Sequence, residues 1–147
     1  MTTLLSPNIL IKDITADLGF TDISNLNDAT LIKTDELISI ATFLKHTPKF
    51  DFQMLISITA VDYIEYFEIV YHLLSIQHNQ RAILKLRCYD RESPSTPSVV
   101  VIWPGAELQE REIWDLMGIQ FTQHPNMKRI LLWENFEGHP LRKDYLR

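Results

Sequence analysis

The stretch that decides the fold is QMLISITAVDYIEYFEIVYHLLSIQHNQRAILKLRCYD, residues 53–90. It contains three runs that are rich in β-branched and apolar residues: QMLISITAVDY, EYFEIVYHLLSIQ and AILKLRCYD. A short acidic break separates the first two runs and HNQR separates the last two, and runs of this composition between polar breaks are typical of β-strands. The sequence therefore predicts three consecutive strands, two of which form a hairpin.

The chain before this stretch predicts a helix, a strand and a second helix. Apolar residues recur at helical spacing after Pro7 and stop at Gly19, which indicates a first helix with proline at its start and glycine at its end. ATLIKTD, residues 29–35, predicts a short strand, and the polar residues 34–36 then cap the second helix. The apolar face of that helix consists of Leu37, Ile40, Ala41 and Leu44.

The chain after the three strands predicts one more helix between irregular segments. RESPSTPS, residues 91–98, is rich in serine and proline and indicates a surface loop, while SVVVIW, residues 98–103, fits either a strand or a helical turn. PGAELQEREIWDLMG, residues 104–118, predicts a helix that Gly118 ends in a left-handed conformation. KRILLW, residues 128–133, predicts a last strand or an extended segment.

This order of elements predicts a single α+β domain over residues 1–147. We expect two layers, with a mixed or antiparallel sheet that carries the helices on one face, and an extended C-terminal arm. Residues 1–50 form the helix–strand–helix start, residues 51–136 the sheet and the third helix, and residues 137–147 the arm.

Composition excludes several classes of function. The net charge of −5 disfavours a nucleic-acid partner, because such proteins usually present a basic face to the phosphates. Cys88 is the only cysteine, so the chain cannot supply the thiolates of an iron–sulfur cluster or of a four-thiolate zinc site. Only 4 glycines are present, and none forms a phosphate-binding loop.

The third predicted helix carries the most informative charges. Helical spacing places Glu110 on the apolar stripe of the helix, and a carboxylate there needs a partner. Glu112 is expected near the same buried face. Glu107, Arg111 and Asp115 follow one another at intervals of four residues, which predicts an ordinary surface ladder of ion pairs.

His124 and His139 allow a metal hypothesis in which Glu110, Glu112 or Asp115 is the third ligand. The two histidines do not have the spacing of ligands on one helix or strand. Each precedes a proline, Pro125 or Pro140, which restricts the histidine to extended conformations. Turn construction is therefore favoured over metal binding.

The C-terminal sequence EGHPLRKDYLR, residues 137–147, permits two interpretations. His139 and Asp144 could be ligands or proton carriers. Alternatively, Gly138 and Pro140 prevent a helix, which leaves an extended arm whose backbone groups and charges bind another chain. This second interpretation predicts an arm that is mobile in the isolated chain, with Arg142 more important for docking than Lys143.

Two regions of the sequence resemble a known family. EREIWDLMGIQFTQHPNMKRILLWENFEGHPLRKDY, residues 110–145, is similar to the signature of the 30 kDa subunit, also designated C, of proton-pumping NADH:quinone oxidoreductase, respiratory complex I. ITAVDY and FEIVYHLLSI are similar to the central strands of that family. The resemblance assigns the following residues to the family signature and to subunit interfaces: Glu110, Arg111, Glu112, Asp115, Gly118, His124, Pro125, Arg129, Gly138, His139, Pro140, Arg142, Lys143 and Asp144.

The resemblance implies an accessory subunit of the peripheral arm with no catalytic residue, metal or redox centre of its own. Flavin and iron–sulfur clusters are then expected in other subunits, and the partners are the quinone-site subunit, designated D, and the iron–sulfur subunit, designated B. Related subunits of photosynthetic NDH complexes and membrane-bound hydrogenases are the alternative, and a free-standing metal-dependent enzyme is a distant one.

The location follows from the same resemblance. The first 20 residues predict a folded helix rather than a signal or transit peptide, and no apolar run approaches the roughly 20 residues that span a bilayer. The resemblance then implies a position on the cytoplasmic side of the bacterial cell membrane, in contact with the membrane only through the complex.

Overall fold

The computed structural model describes residues 1–146. They form three α-helices and eight strands, several of them short. In chain order the elements are β1 (Thr3–Leu4), α1 (Pro7–Leu18), β2 (Ser24–Leu26), β3 (Ala29–Ile32), a 3-10 turn (Thr34–Glu36), α2 (Leu37–His46), β4 (Met54–Asp62), β5 (Phe67–Ser75), β6 (Gln80–Cys88), β7 (Ser95–Pro97), α3 (Ala106–Met117) and β8 (Gln120–Thr122).

The three strands predicted from residues 53–90 are the centre of the main sheet. β4, β5 and β6 are successive antiparallel neighbours, and the order across the sheet is β2-β3-β6-β5-β4. β3 runs parallel to β6, and β1 adds a short parallel pairing to the start of β6. The sheet is therefore mixed, as predicted.

The hydrophobic core lies on one face of this sheet. Every second residue of β5 points inward, and Phe67, Ile69, Tyr71 and Leu73 are fully buried. Leu84 and Leu86 continue this face on β6, and apolar residues of all three helices join the same cluster. The predicted α+β fold with helices on one face of the sheet is confirmed.

All three predicted helices are present. α1 begins at Pro7, and Gly19 and Gly118 end α1 and α3 in left-handed conformations with φ of 75° and 76°. The predicted apolar face of α2 is fully buried. The cap predicted for α2 is wrong, because residues 34–36 form a 3-10 turn and no side chain caps the helix.

Two segments outside the main sheet differ from the prediction. Within the predicted loop at residues 91–98, β7 pairs in parallel with β8 as a second, two-stranded sheet, and Thr96 is buried. SVVVIW forms a turn, in which the Val99 carbonyl accepts hydrogen bonds from the amides of Ile102 and Trp103. KRILLW forms no strand, and the chain from residue 123 to residue 146 contains neither helix nor strand.

Candidate functional site

α3 is held along the edge strand of the sheet and carries most of the signature charges. The side-chain Oε1 of Gln109 accepts a hydrogen bond of 2.7 Å from the amide of Ile58 in β4. The helix buries three apolar residues, Ala106, Ile113 and Met117, and also three charged residues, Glu110, Arg111 and Asp115. Buried charges need partners, so their contacts define what this helix does.

Asp115 is fully buried and binds the chain that follows β8. One carboxylate oxygen lies 2.7 Å from Nη1 of Arg129, and the other accepts hydrogen bonds from three consecutive backbone amides, those of residues 130–132, at 3.1, 2.8 and 2.9 Å. Burial alone would raise the pKa of this carboxyl, but the backbone hydrogen bonds and Arg129 outweigh burial and hold the pKa below its ordinary value of 3.8. The carboxylate therefore stays ionised and fixes an irregular segment.

Arg129 extends this connection towards the C-terminus. Its Nη2 donates to the carbonyls of Phe136 and Gly138 at 2.7 and 2.9 Å. The guanidinium also lies over the rings of Trp114 and Phe136, 5.6 and 5.5 Å from their centroids. One arginine thus ties residues 136–138 to α3.

Arg111 has a similar role one turn earlier in the helix. It is 9% exposed, and its guanidinium donates to the carbonyls of Lys128 and Arg129 at 3.2 and 3.1 Å. Its contact with Glu107 is longer, at 3.5 Å. The predicted surface ladder is therefore wrong for Arg111 and Asp115, because residues 128–132 cover that face of the helix.

Glu110 is buried on the apolar stripe, as predicted, and has the partners that its burial requires. The hydroxyl of Ser98 donates to one oxygen at 2.6 Å and the amide of Val99 donates to the other at 2.8 Å. Burial raises the pKa of this carboxyl above its ordinary value of 4.5. Glu112, in contrast, is exposed and forms no ion pair within residues 1–146, so its expected place near a buried face is wrong.

Both histidines of the metal hypothesis form hydrogen bonds with backbone atoms. Nε2 of His124 donates to the Glu107 carbonyl at 3.0 Å, and Nδ1 accepts from the Asn126 amide at 3.0 Å, which defines a neutral tautomer. Nδ1 of His139 donates to the Asp115 carbonyl at 2.9 Å. Over residues 1–146 no three His, Cys, Asp or Glu side chains are arranged to hold a metal ion. Pro125 and Pro140 lie in turns, as predicted.

The C-terminal segment folds back onto the domain. The amide of Leu141 donates to the Leu116 carbonyl at 2.9 Å, and the amide of Lys143 donates to Asp62 at 2.9 Å. Arg142 donates to the Arg91 carbonyl at 2.8 Å and forms a two-point ion pair with Asp144. The segment has no helix or strand, as expected, but several of the backbone groups and charges that were predicted to stay free for another chain are bonded within the domain. Arg147, its last residue, lies outside the described residues.

Gly118 and Gly138, two glycines of the family signature, leave room for the C-terminal segment to pack against the domain. A Cβ on Gly118 would lie 2.7 Å from the ring of His139, and a Cβ on Gly138 would lie 2.8 Å from the ring of Tyr145. Gly138 also has a φ of 84°, which disfavours any side chain. Both glycines are therefore required by close packing as well as by the direction of the backbone.

Asp62 and Arg91, which anchor the end of the chain, were not predicted from the sequence. Asp62 is 3% exposed and forms a two-point ion pair with Arg91 at 2.8 and 2.7 Å, and Arg91 also contacts Asp144 at 3.1 Å. The hydrogen bonds from Arg91 hold the pKa of Asp62 far below its ordinary value. The burial of Asp62 could have been predicted from strand alternation, because Asp62 continues the inward-facing register of Ile58 and Ala60.

Several large apolar side chains of the same segment point into solvent. Leu131 is 61% exposed, Trp133 69%, Leu141 56% and Leu146 91%. We refer to these four as the C-terminal apolar residues. The backbone at Leu131, Leu132 and Leu141 is bonded to α3, so Leu131, Trp133 and Leu141 stand on a fixed support, which is typical of residues that contact a partner.

Comparison with known proteins places the chain among subunits of respiratory complexes. The family model described as respiratory-chain NADH dehydrogenase, 30 kDa subunit, matches residues 30–147. The NADH-quinone oxidoreductase C subunit of Roseiflexus sp. (strain RS-1) is 43% identical over 116 residues, which is 77% of this chain and 66% of the relative. The C subunit of Moorella thermoacetica is 45% identical over 119 residues, 80% of this chain and 78% of the relative. This chain thus spans about two thirds of the length of the Roseiflexus protein.

A solved structure has the same fold. A chain of the membrane-bound sulfane sulfur reductase, an archaeal respiratory membrane complex, superposes with a TM-score of 0.76 and 25% identity over 94% of this chain and 84% of that one. None of the described helices has the length and apolar character that crossing a membrane requires. By the match of its residues 30–147 and its identity to these relatives, the chain belongs to the family of the 30 kDa subunit of respiratory-chain NADH dehydrogenase.

Proposed function

We propose that the chain is an accessory subunit of the peripheral arm of a proton-translocating NADH:quinone oxidoreductase, without a redox centre of its own. It packs against the quinone-site subunit and the terminal iron–sulfur subunit, which hold the cofactors, on the cytoplasmic side of the bacterial membrane. Family membership and the names of the relatives support this proposal.

The single observation that carries the proposal is the orientation of groups in α3 and in residues 128–146. The signature charges turn inward, where Arg111, Asp115 and Arg129 bind backbone atoms, while the C-terminal apolar residues turn outward. Charges that are used to fix a backbone are not available for proton transfer to a substrate. Exposed tryptophan and leucine on such a backbone suit contact with another protein.

The test is a host in which this chain is replaced by a double variant, Leu131→Ser with Trp133→Ala. We expect less assembled complex, unchanged turnover per assembled complex and only a small loss of stability in the isolated chain, where Trp133 packs edge-on against Phe136 at 4.8 Å between ring centroids. The control is Ile76→Ser, which removes another exposed apolar side chain, 70% exposed, from the β5–β6 turn. Normal assembly with a large loss of turnover would instead assign the segment a direct part in the reaction.

The absence of a redox centre has its own test. Cys88 is 5% exposed and burial raises the pKa of its thiol to about 11, which makes it a poor nucleophile and a poor ligand. Cys88→Ser should therefore leave the paramagnetic signals of the assembled complex unchanged. Loss of a cluster signal with all subunits present would contradict the proposal.

A second candidate is membership of a related reductase or hydrogenase complex, which the structural similarity to an archaeal respiratory membrane complex supports. Mass spectrometry of co-purifying subunits separates the two. A flavoprotein with a nicotinamide site indicates NADH input, whereas a nickel–iron large subunit indicates a hydrogenase. Stoichiometric zinc, iron or manganese in the pure chain would point to the distant alternative, a metal-dependent enzyme.

A further inference from the structure

The turn between β4 and β5 is strained where the other two hairpin turns are not. All three turns contain a residue with positive φ: Asn27 at 58°, Asn79 at 51° and Ile64 at 72°. Asparagine tolerates this conformation, whereas it is a true outlier for a β-branched residue such as isoleucine. The chain therefore keeps an unfavourable residue at one turn although a favourable type occupies the other two.

Hydrogen bonds to the buried Asp62 and to Arg91 hold this strained conformation. The amide of Ile64 donates to Asp62 at 2.7 Å, and Nη1 of Arg91 donates to the Ile64 carbonyl at 3.0 Å. The turn is closed by a hydrogen bond of 3.0 Å from the Tyr63 amide to the Tyr66 carbonyl. The Ile64 side chain itself is 60% exposed. Packing of this side chain within the domain therefore does not offset the backbone strain.

Tyrosines continue the exposed surface beside Ile64. Tyr63 and Tyr89 are 46% and 67% exposed, and Tyr66 lies between them, with ring centroids 5.2 and 5.5 Å away. The guanidinium of Arg87 lies over the Tyr66 ring, 4.5 Å from its centroid, and helps to fix it. We refer to Tyr63, Ile64, Tyr66 and Tyr89 as the tyrosine ridge, a composition that is enriched at the centres of protein interfaces.

The charged residues that flank the tyrosine ridge in sequence and remain unpaired are acidic. Glu65, Asp90 and Glu92 are its sequence neighbours and form no salt bridge within residues 1–146. The nearby arginines are already paired, Arg87 with Glu68 and Arg91 with Asp62 and Asp144. A partner for this surface must therefore bring its own positive charges.

The ridge is also joined to the C-terminal segment. Asp62 and Arg91, which fix the strained turn, bind the Lys143 amide and the Asp144 carboxylate. The side chains that hold the turn thus hold the end of the chain as well. A partner on the C-terminal segment therefore lies beside the ridge.

We propose that the tyrosine ridge is a second docking surface, which inserts Ile64 and Tyr89 into an apolar pocket of a neighbouring protein subunit whose rim carries Lys or Arg. The inference rests on the proposed function, because it requires that the chain works in a protein assembly. It adds a surface distinct from the C-terminal apolar residues, and the acidic rim gives it a charge preference. Strain at Ile64 presents the side chain before the partner arrives.

The experiment replaces Ile64 by Asn in a host that also expresses a tagged wild-type chain, and measures the share of each chain in the purified complex. Asparagine relieves the strain, so we expect the isolated variant to unfold at the same temperature or higher, while its share of the complex falls at least about tenfold. Tyr89→Ala, which removes an exposed ring, should lower the share in the same way. Glu65→Lys with Glu92→Lys should lower it further at low salt.

Matched controls are Ile76→Asn in the β5–β6 turn and Asp17→Lys with Asp28→Lys on other exposed elements. If Ile64→Asn and Tyr89→Ala enter the complex as wild type, the ridge inference is overturned. If the isolated chain forms a dimer that Ile64→Asn abolishes, the occupant is a second copy and not another subunit. Normal entry of the ridge variants with failure of Leu131→Ser, Trp133→Ala would leave the proposed function standing and remove only this inference.

Discussion

α1 and α3 are helices of equal length with different contents. Each has 12 residues, and each ends at a glycine in the left-handed conformation. α1 buries only Pro7, Leu10 and Ile14, whereas α3 buries three charged side chains besides three apolar ones. The difference shows that α1 serves the core, while α3 also holds the irregular C-terminal segment, through hydrogen bonds that Arg111 donates and Asp115 accepts.

The largest expected effect is a loss of stability on replacing Asp115 of α3, compared with the equally buried Ile14 of α1. Asp115→Ala removes one member of a buried ion pair and leaves Arg129 and three backbone amides without their acceptor, so we expect a loss of about 3–5 kcal/mol in the free energy of unfolding. Ile14→Val removes one methylene and should cost about 0.5–1.5 kcal/mol. Urea denaturation measures both.

Hydrogen exchange tests whether Asp115, and not Ile14, holds the C-terminal segment on the domain. In the isolated wild-type chain we expect protection at Leu141 and Lys143, whose amides are bonded to the domain. Asp115→Ala should remove protection selectively from residues 128–143, and Ile14→Val should not. Equal exchange of this segment in wild type and Asp115→Ala would show that α3 does not hold it.

The next contrast is between two adjacent residues of α3, of which Arg111 is buried and Glu112 is exposed. Arg111→Ala loses two charged hydrogen bonds to backbone carbonyls and should cost about 1.5–3 kcal/mol, whereas Glu112→Ala, at an exposed position, should change stability by under about 0.5 kcal/mol. Both should reduce assembled complex before they affect turnover per complex. A stability loss for Glu112→Ala as large as that for Arg111→Ala would contradict the structure.

The two glycines that end the helices provide a third contrast. Gly19→Ala and Gly118→Ala both force alanine into a left-handed conformation, at roughly 1–2 kcal/mol. No atom lies within 4 Å of a Cβ at Gly19, but one at Gly118 would meet the His139 ring at 2.7 Å. We expect a larger fall in melting temperature for Gly118→Ala, and equal falls would mean that His139 moves freely.

The smallest effect is the pH dependence of the two buried carboxylates of α3. Burial raises the pKa of Glu110, so its contribution to stability is greatest below 4.5 and declines as pH rises from there through its folded pKa. The pKa of Asp115 is lowered, so its contribution is present above 3.8 and is lost as pH falls through its folded pKa. Glu110→Gln should remove the first slope and Asp115→Asn the second, in denaturation curves from pH 3 to 8.

Much of the fold follows from local pattern. The β-branched and apolar runs in residues 53–90 specified the central strands, and glycines 19 and 118 specified the helix ends, because these signals depend on neighbours in sequence. β7 and β8 were not predicted, since each has 3 residues and is stable only through the other. The sequence also indicated that Glu110 is buried, because its position in the helical period is local information.

Only the tertiary structure decided the roles of Arg111, Asp115, Asp62 and the C-terminal segment. Spacing of four residues shows that Arg111 and Asp115 share a helix face, but whether that face meets water depends on what covers it. The cover is residues 128–132, and residues 138–143 return to α3 and β4 through Leu116 and Asp62. The sequence alone determined the helices, the central strands and the family. Contacts between distant residues decided that Arg111 and Asp115 are buried and that the C-terminal segment is bonded to the domain.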